Sequence, residues 1–226
     1  MKIKDLKTRL FTSIFLIFLL YISFSYSYIL IISLILISLV SWIEFKGLIL
    51  RIFNQKTFKS SIFKVALQCI SLLYLIIFST MIFSGIYQSD FKLSILFLIL
   101  ICICSDIGGL LFGKIFKGKK LTKISPNKTI SGSIGSFILS LSIVPIFYLL
   151  LQDKFNNLVE MILVTILVSF ICQLGDLFIS FVKRKAKVKD TGYLLPGHGG
   201  ILDRIDGILF AVPIGMIIFK YIIPVL

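Results

Sequence analysis

The chain has 226 residues, of which 58% are hydrophobic and 15% charged, and its mean hydropathy is +1.07. This composition excludes an ordinary soluble globular domain and fits a polypeptide whose long apolar runs cross a bilayer. The formal net charge of +14 must therefore be explained by where the basic residues fall. With about 20 residues per spanning helix there is room for roughly six to eight spans and for no sizeable domain in water.

In chain order, apolar segments cover 10–24, 26–43, 62–84, 93–112, 132–151, 158–182 and 206–225. They predict an all-α, polytopic integral membrane helix bundle of about seven transmembrane helices. The first run follows Lys2, Lys4, Lys7 and Arg9 in the manner of a signal peptide. It lacks an Ala-x-Ala-type cleavage site and is read as a retained first span. The joint SFSYSY between the first two runs contains neither Gly nor Pro. One helix through both would be about 51 Å long, well beyond the hydrocarbon core, so a helical hairpin is expected there.

Basic residues cluster in alternate connections. Four precede the first span, five lie from Lys46 to Lys64, six from Lys114 to Lys128 and six from Lys183 to Arg204, so that 21 of the 24 share one side and Lys92, Lys154 and Lys220 are left for the other. This positive-inside pattern puts the N-terminus in the cytoplasm and the C-terminus outside. Topology and attraction to anionic lipid thus account for the charge without nucleic acid. Cys69, Cys102, Cys104 and Cys172 all fall in apolar segments. Cys-x-Cys on a helix sends its side chains to nearly opposite faces, so the four are read as packing residues, not zinc ligands or disulfide partners.

The acids carry more information. Asp5, Asp90, Asp153 and Glu160 fall in tails or short loops, whereas Glu44, Asp106, Asp176, Asp190, Asp203 and Asp206 all map to the cytoplasmic side or to cytoplasmic span ends. Asp176 lies inside the sixth apolar segment. A carboxylate at such depth costs about 2.5–3.5 kcal/mol on insertion scales and marks either a functional site or a structural helix pairing. Ser180, one turn further, and then Lys183 or Arg184 extend a polar stripe down the same face.

The stretch KDTGYLLPGHGGILDRID, residues 189–206, gathers three aspartates, the single histidine and a run of glycines. A helix starting near Leu202 would project Asp203 and Asp206 from one face while Arg204 points elsewhere. Carboxylates converging in a poorly hydrated site repel unless neutralised, and such hard oxygen donors suit Mg²⁺. Gly197, Gly199 and Gly200 flank His198 and allow close backbone approach, so that N–H groups there can receive phosphate oxygens. A second polar stretch spans 105–133: Asp106 closes the fourth span, and SPNKT sets Ser125, Lys128 and Thr129 ahead of the fifth. Lysine with hydroxyls at a helix start is a phosphate-holding group, although no P-loop pattern precedes it.

Together these residues resemble the phosphatidate cytidylyltransferase family, also called CDP-diacylglycerol synthase. The family's C-terminal motif S-x-x-K-R-x-x-x-x-K-D-x-G-x-x-x-P-G-H-G-G-x-x-D-R-x-D is met from Ser180 to Asp206 by SFVKRKAKVKDTGYLLPGHGGILDRID. The likeness extends to Gly175–Asp176, to SPNKT, to Asp106 with its following glycines and to SWIEF after the second span. Members are commonly longer, with additional spans, and the shortfall falls between the second and third spans here. Ser131 stands where the family often has an acid or amide, and Leu110 where an aromatic is common.

The resemblance implies a single membrane-embedded cytidylyltransferase domain over 1–226 with its catalytic part at about 100–210. The implied reaction is CTP + phosphatidate → CDP-diacylglycerol + pyrophosphate, Mg²⁺-dependent, in phospholipid biosynthesis at the cytoplasmic face of a bacterial inner membrane. Asp176, Asp203 and Asp206 would hold the metal, and Lys183, Arg184, Lys189 and Arg204 would clamp phosphate groups. Ser125, Lys128 and Thr129 would hold the triphosphate or the lipid phosphate. Ser180, Gly199, Gly200 and Asp106 would line the substrate site, Asp190 would orient a basic neighbour, and His198 would act within the catalytic stretch. Partners would be CTP, phosphatidate and membrane lipid, with a homo-oligomer left open.

A transporter or ion channel with an acidic cation site is the alternative. It would be expected to carry polar residues deep along several spans, whereas here they gather at one end. A lipid-binding scaffold would need the basic loops without the acids. The D-G-x-x-A-R motif of CDP-alcohol phosphotransferases is absent, since Asp206 and Gly207 are followed by Ile208, Leu209, Phe210 and Ala211.

Overall fold

The computed structural model describes residues 3–54, 58–87, 89–122, 124–151, 155, 157–194 and 199–222. Its helices are α1 (Ile3–Ser25), α2 (Ser27–Ile52), α3 (Phe58–Tyr87), α4 (Ser89–Phe116), α5 (Ile130–Leu141), α6 (Val144–Leu150), α7 (Leu158–Lys185) and α8 (Leu202–Ile217). The last runs into a π-helical turn, Ile218–Ile222. Among the described residues there is no β-strand, only an isolated bridge between Lys120 and Thr129.

Five helical stretches among the described residues are long and apolar enough to cross a membrane: α2, α3, Phe91–Phe116 of α4, the α5–α6 pair over Ile130–Leu150, and α7. They match the second to sixth predicted segments. The first segment is helical, but its apolar part, Ile14–Ser25, is shorter, and α8 has 16 residues, with residues 223–226 outside the described ones. Five of the seven expected spans are thus matched among the described residues. Large apolar side chains such as Tyr28, Ile43, Ile70 and Leu73 point outward, a surface that suits lipid and not water. The protein is an integral membrane protein.

The chain divides into two compact units, residues 1–87 with 182–205 and residues 88–181 with 206–226. In the first unit, Tyr26 adopts an extended conformation (φ −126°, ψ 113°) between α1 and α2. Ser23 Oγ lies 3.2 Å from Ser33 Oγ, whereas ten residues of continuous helix would separate them by about 15 Å. This is the expected hairpin. Helix α2 is joined to α3 by Ser38 Oγ to Ser79 Oγ at 2.6 Å and by Trp42 Nε1–H donating to the Gln68 carbonyl at 3.1 Å. At the end of α7, the Val188 N–H reaches the Lys183 carbonyl and the Lys187 N–H reaches that of Arg184, at 3.0 and 3.1 Å. Lys187 is left-handed, with φ 57°. This is the Schellman arrangement that terminates a helix and turns the chain away, here into the 188–201 connection.

In the second unit, α4 does not end at Asp106 as expected but continues to Phe116. Its glycines face α5: a Cβ on Gly132 would lie 2.7 Å from the Gly109 carbonyl, and one on Gly108 would strike the Gly135 carbonyl. Small residues let two backbones close in the absence of a hydrophobic drive between helices. Serines reinforce the seam, with Ser136 Oγ donating to the Ser105 carbonyl at 2.7 Å and Ser140 Oγ to the Ile101 carbonyl at 3.2 Å, and Ser169 Oγ of α7 donates to Ser105 Oγ of α4 at 3.1 Å. Thr129 caps α5 by accepting the Gly132 N–H at 3.0 Å. Helices α7 and α8 also cross at glycines. A Cβ on Gly175 would sit 2.8 Å from both the Asp206 carbonyl and the Phe210 ring, and one on Gly207 would strike Cys172 Sγ.

Candidate active site

In the second unit, residues 119–130 form a small hairpin. Leu121 N–H bonds to the Lys128 carbonyl at 2.8 Å and Ile130 N–H to that of Lys119 at 2.9 Å, while Lys128 N–H closes the Ser125–Lys128 turn at 3.0 Å. The Pro126–Asn127 tip suits such a turn. This hairpin presents Lys128 to α7, where its ammonium pairs with Asp176 Oδ2, and Ser180 Oγ donates to Asp176 Oδ1 at 3.3 Å. Lys128 of the 105–133 polar stretch is thus joined to the aspartate inside the sixth apolar segment. Asp206, largely buried, follows the same logic one helix over: it stands beside Gly207 as Asp176 stands beside Gly175, so the α7–α8 contact has an aspartate on each side. Its Oδ1 accepts the Gly207 N–H at 2.9 Å. Ser133 Oγ donates to Gln173 Oε1, placing a carboxamide one turn before Asp176. Asp106 is exposed on α4.

In the first unit, Asp203 is the hub of the 188–203 stretch. Its Oδ1 accepts Lys183 Nζ at 2.6 Å. Its Oδ2 accepts the Thr191 N–H at 2.8 Å, the Thr191 hydroxyl at 2.9 Å and the Gly200 N–H at 3.1 Å. Burial raises the Asp203 pKa, but the Lys183 ammonium and the N–H groups of Thr191 and Gly200 outweigh it and hold the carboxyl below its ordinary value. The Gly200 N–H, expected to be open to phosphate, is thus taken by Asp203. Gly199 is left-handed, at φ 84°, which only glycine adopts without strain. Arg184, Lys189, Asp190 and Arg204 are exposed, and Arg184 Nη1 also reaches the Val188 carbonyl at 3.4 Å. Gly197 and His198 lie outside the described residues.

Two residues of this cluster carried no role in the sequence reading. Glu44, near the end of α2, is 8% exposed. It accepts the Ile201 N–H on Oε1 at 3.1 Å, and the Leu202 N–H at 2.9 Å and the Thr191 hydroxyl at 2.8 Å on Oε2. Thr191 stands between Glu44 and Asp203 with one hydroxyl proton in reach of both. Glu44 carried the same signal as Asp176, a carboxylate at the end of an apolar helix, while Thr191 falls at an unspecified position of the motif. Beside Glu44 opens a cavity of about 540 Å³, lined on α2 by Val40, Ile43, Gly47 and Arg51 and on the connection by Asp190 and Tyr193. A Cβ on Gly47 would meet nothing within 4 Å.

Within either unit, no three carboxylate, histidine or cysteine side chains among the described residues gather at one point. The donors present are nevertheless of the right kind for Mg²⁺: the Asp176 and Asp206 carboxylates offer hard oxygen donors on either side of one helix contact. Asp203 fits less readily, because Lys183, the Thr191 N–H and hydroxyl and the Gly200 N–H already converge on it, whereas Asp176, among the described residues, meets only Lys128 and Ser180.

A model of the cytidylyltransferase family matches residues 1–222 of this chain. Over 121 residues the chain is 49% identical to a phosphatidate cytidylyltransferase of Staphylococcus haemolyticus, 46% to one of Staphylococcus epidermidis and 48% to one of Staphylococcus aureus. Each of these alignments covers 53% of this chain and 46% of the relative. The chain spans about half the length of the curated relatives it matches.

Proposed function

The chain belongs to the cytidylyltransferase family, and on that footing we propose that it transfers the cytidylyl group of CTP to phosphatidate. A phosphate oxygen of phosphatidate attacks the α-phosphorus of CTP in line, the bond to the β-phosphate oxygen breaks, and pyrophosphate leaves. CDP-diacylglycerol remains in the membrane. No protein nucleophile is needed, since the attacking oxygen is already anionic at neutral pH.

The reading is supported above all by the Lys128–Asp176 pair, which sets a phosphate-binding cation against a membrane-embedded carboxylate at the α7–α8 crossing. Asp176 and Asp206 would hold Mg²⁺, which when bound offsets the mutual repulsion of the two substrates and stabilises the leaving pyrophosphate. Asp203 would join them only if Lys183 and the loop donors yield, and otherwise holds the loop. Lys128 and Ser125 contact phosphate from the hairpin, while Thr129 fixes the start of α5. Arg184, Lys189 and Arg204 supply further charge-assisted hydrogen bonds to phosphate, and His198 and Gly199 belong to the same stretch. The cavity beside α2, apolar at Val40 and Ile43, has a size and polarity that suit a glycerol with adjoining acyl carbons.

The basic-residue asymmetry supports a site facing the cytoplasm of a bacterial inner membrane, with the catalytic part at about 100–210 of one membrane-embedded domain. The test is CTP-dependent pyrophosphate release by purified protein in mixed micelles. Release that needs both phosphatidate and Mg²⁺ is expected. Release independent of phosphatidate, or none in its presence, would overturn the reading.

A further inference from the structure

Helix α8 begins without a cap of its own. The first N–H groups of any helix lack intrahelical partners, and the residue before α8 is Ile201, whose side chain cannot accept a hydrogen bond. Ser, Thr, Asp or Asn normally stands there. In this chain the acceptor comes from 157 residues away: Glu44 receives the Ile201 N–H on one oxygen and the Leu202 N–H on the other, at 3.1 and 2.9 Å. The carboxylate also takes the Thr191 hydroxyl at 2.8 Å, and so ties the 188–201 connection to the same point.

The surroundings are cut to fit it. A Cβ on Gly192 would come within 2.5 Å of Glu44 Oε1, and one on Gly200 would strike Glu44 Oε2. Both glycines therefore leave room for this carboxylate. From Glu44 a continuous chain of contacts runs through Thr191 to Asp203 and on to Lys183, at 2.8, 2.9 and 2.6 Å. Every side chain in it is held by the next.

We propose that Glu44 is a positioning residue for the transfer reaction: from α2 it caps α8, and thereby fixes the first turn of that helix, which carries Asp203. This rests on the cytidylyl-transfer reading, but the capping itself does not. A carboxylate is required because two N–H donors and a hydroxyl converge on two oxygens. An amide of the same shape would offer one oxygen and turn an NH₂ toward a donor.

Glu44→Gln and Glu44→Asp, each in the full chain, test it through hydrogen exchange of the peptide covering 199–205 and steady-state kinetics. In Glu44→Gln, exchange of the Ile201 and Leu202 amides is expected to accelerate at least about tenfold, with exchange in α4 and α5 unchanged. The same variant should lose about 10- to 100-fold in kcat, the cost of a small misplacement of a reacting geometry, while KM for CTP and for phosphatidate moves less than about threefold. Glu44→Asp, which keeps the charge, should recover part of both losses.

Wild-type exchange at 201–202 in Glu44→Gln would overturn the capping. Local acceleration with undiminished kcat would overturn the positioning role. Acceleration throughout the protein, or an equal loss in Glu44→Asp, would reduce Glu44 to a general structural residue and overturn it as well. If the wild-type protein released no pyrophosphate with CTP and phosphatidate, the functional reading would fail on its own, and the exchange measurement would still decide the cap.

Discussion

If Asp176 holds Mg²⁺ as proposed, Lys128 occupies the place of the metal's charge, and the two cations should compete for Asp176. The side chains of Lys128 and Asp176 are 25% and 28% exposed, so solvent screens the pair and its worth is that of a partly exposed ion pair, about 0.2–1 kcal/mol. Replacing Lys128 by Met keeps the aliphatic stem and removes the ammonium. If Asp176 is a Mg²⁺ ligand, the freed carboxylate should bind metal more tightly by that same amount, lowering the half-saturating Mg²⁺ concentration by about 1.4- to 5-fold. The KM for CTP should rise in parallel if Lys128 also contacts phosphate. The assay is CTP-dependent pyrophosphate release titrated with Mg²⁺ at saturating phosphatidate, repeated at high ionic strength, where the shift should shrink. Asp176→Asn is the counterpart and should raise the Mg²⁺ requirement. A raised or unchanged requirement in Lys128→Met would refute the competition and return Asp176 to the role of a helix-pairing residue.

Asp206→Asn keeps the shape of a buried side chain while removing its charge, and is expected to abolish most turnover with the protein still monodisperse in detergent; near-normal kcat at limiting Mg²⁺ would exclude it as a ligand. The Asp203 carboxyl is held below its ordinary pKa, so its contribution to the order of the 188–203 loop is complete above the unfolded-state value and fades as pH falls through the lower folded value. Protease cleavage within the loop should accordingly stay constant from pH 7 to about 5 and rise only below about pH 4; a rise beginning near pH 6 would contradict this. Gly47 lines the cavity beside α2 and a Cβ there would meet nothing within 4 Å, so Gly47→Leu should project into the cavity and raise KM for phosphatidate several-fold while leaving that for CTP unchanged; equal effects on both would remove the lipid from that cavity. Cysteines at positions 119 and 154 should label from opposite faces of the membrane, and labelling from one face would sink the N-in topology.

Length and apolarity made most of the helices legible. A run of about 20 apolar residues has few alternatives in lipid, and the physical length of residues 10–43 forced the turn that Tyr26 makes. The position of Asp203 and Asp206 on one face followed from the helical period once α8 began at Leu202. Glycine was harder to read. In water Gly108, Gly109 and Gly113 signal the end of a helix, but between membrane helices a missing Cβ lets backbones close, and α4 continues for three turns through them. Thr129 has a hydroxyl suited to phosphate and equally suited to a helix cap, and the structure uses it as the cap. Gly200 reads as backbone open to an anion, yet its N–H serves Asp203 and its missing side chain makes room for Glu44. The Glu44–Leu202 bond spans 158 residues, a separation that no local pattern encodes.

The pairs Gly175–Asp176 and Asp206–Gly207 have a common physical logic. A carboxylate placed directly in a helix contact would have to be desolvated against another backbone, whereas a glycine in the contact brings the helices together and leaves the neighbouring residue at the edge of the seam. There the charge can be met by neighbouring groups: Lys128 and Ser180 for Asp176, and the Gly207 N–H for Asp206. Close packing and a pair of ionisable acids are opposed demands on any one residue, and dividing them between adjacent positions satisfies both. The same division recurs where Gly192 and Gly200 make room for Glu44. The glycines of this chain thus set how near its helices and loops approach, and the acids beside them determine what chemistry that approach permits.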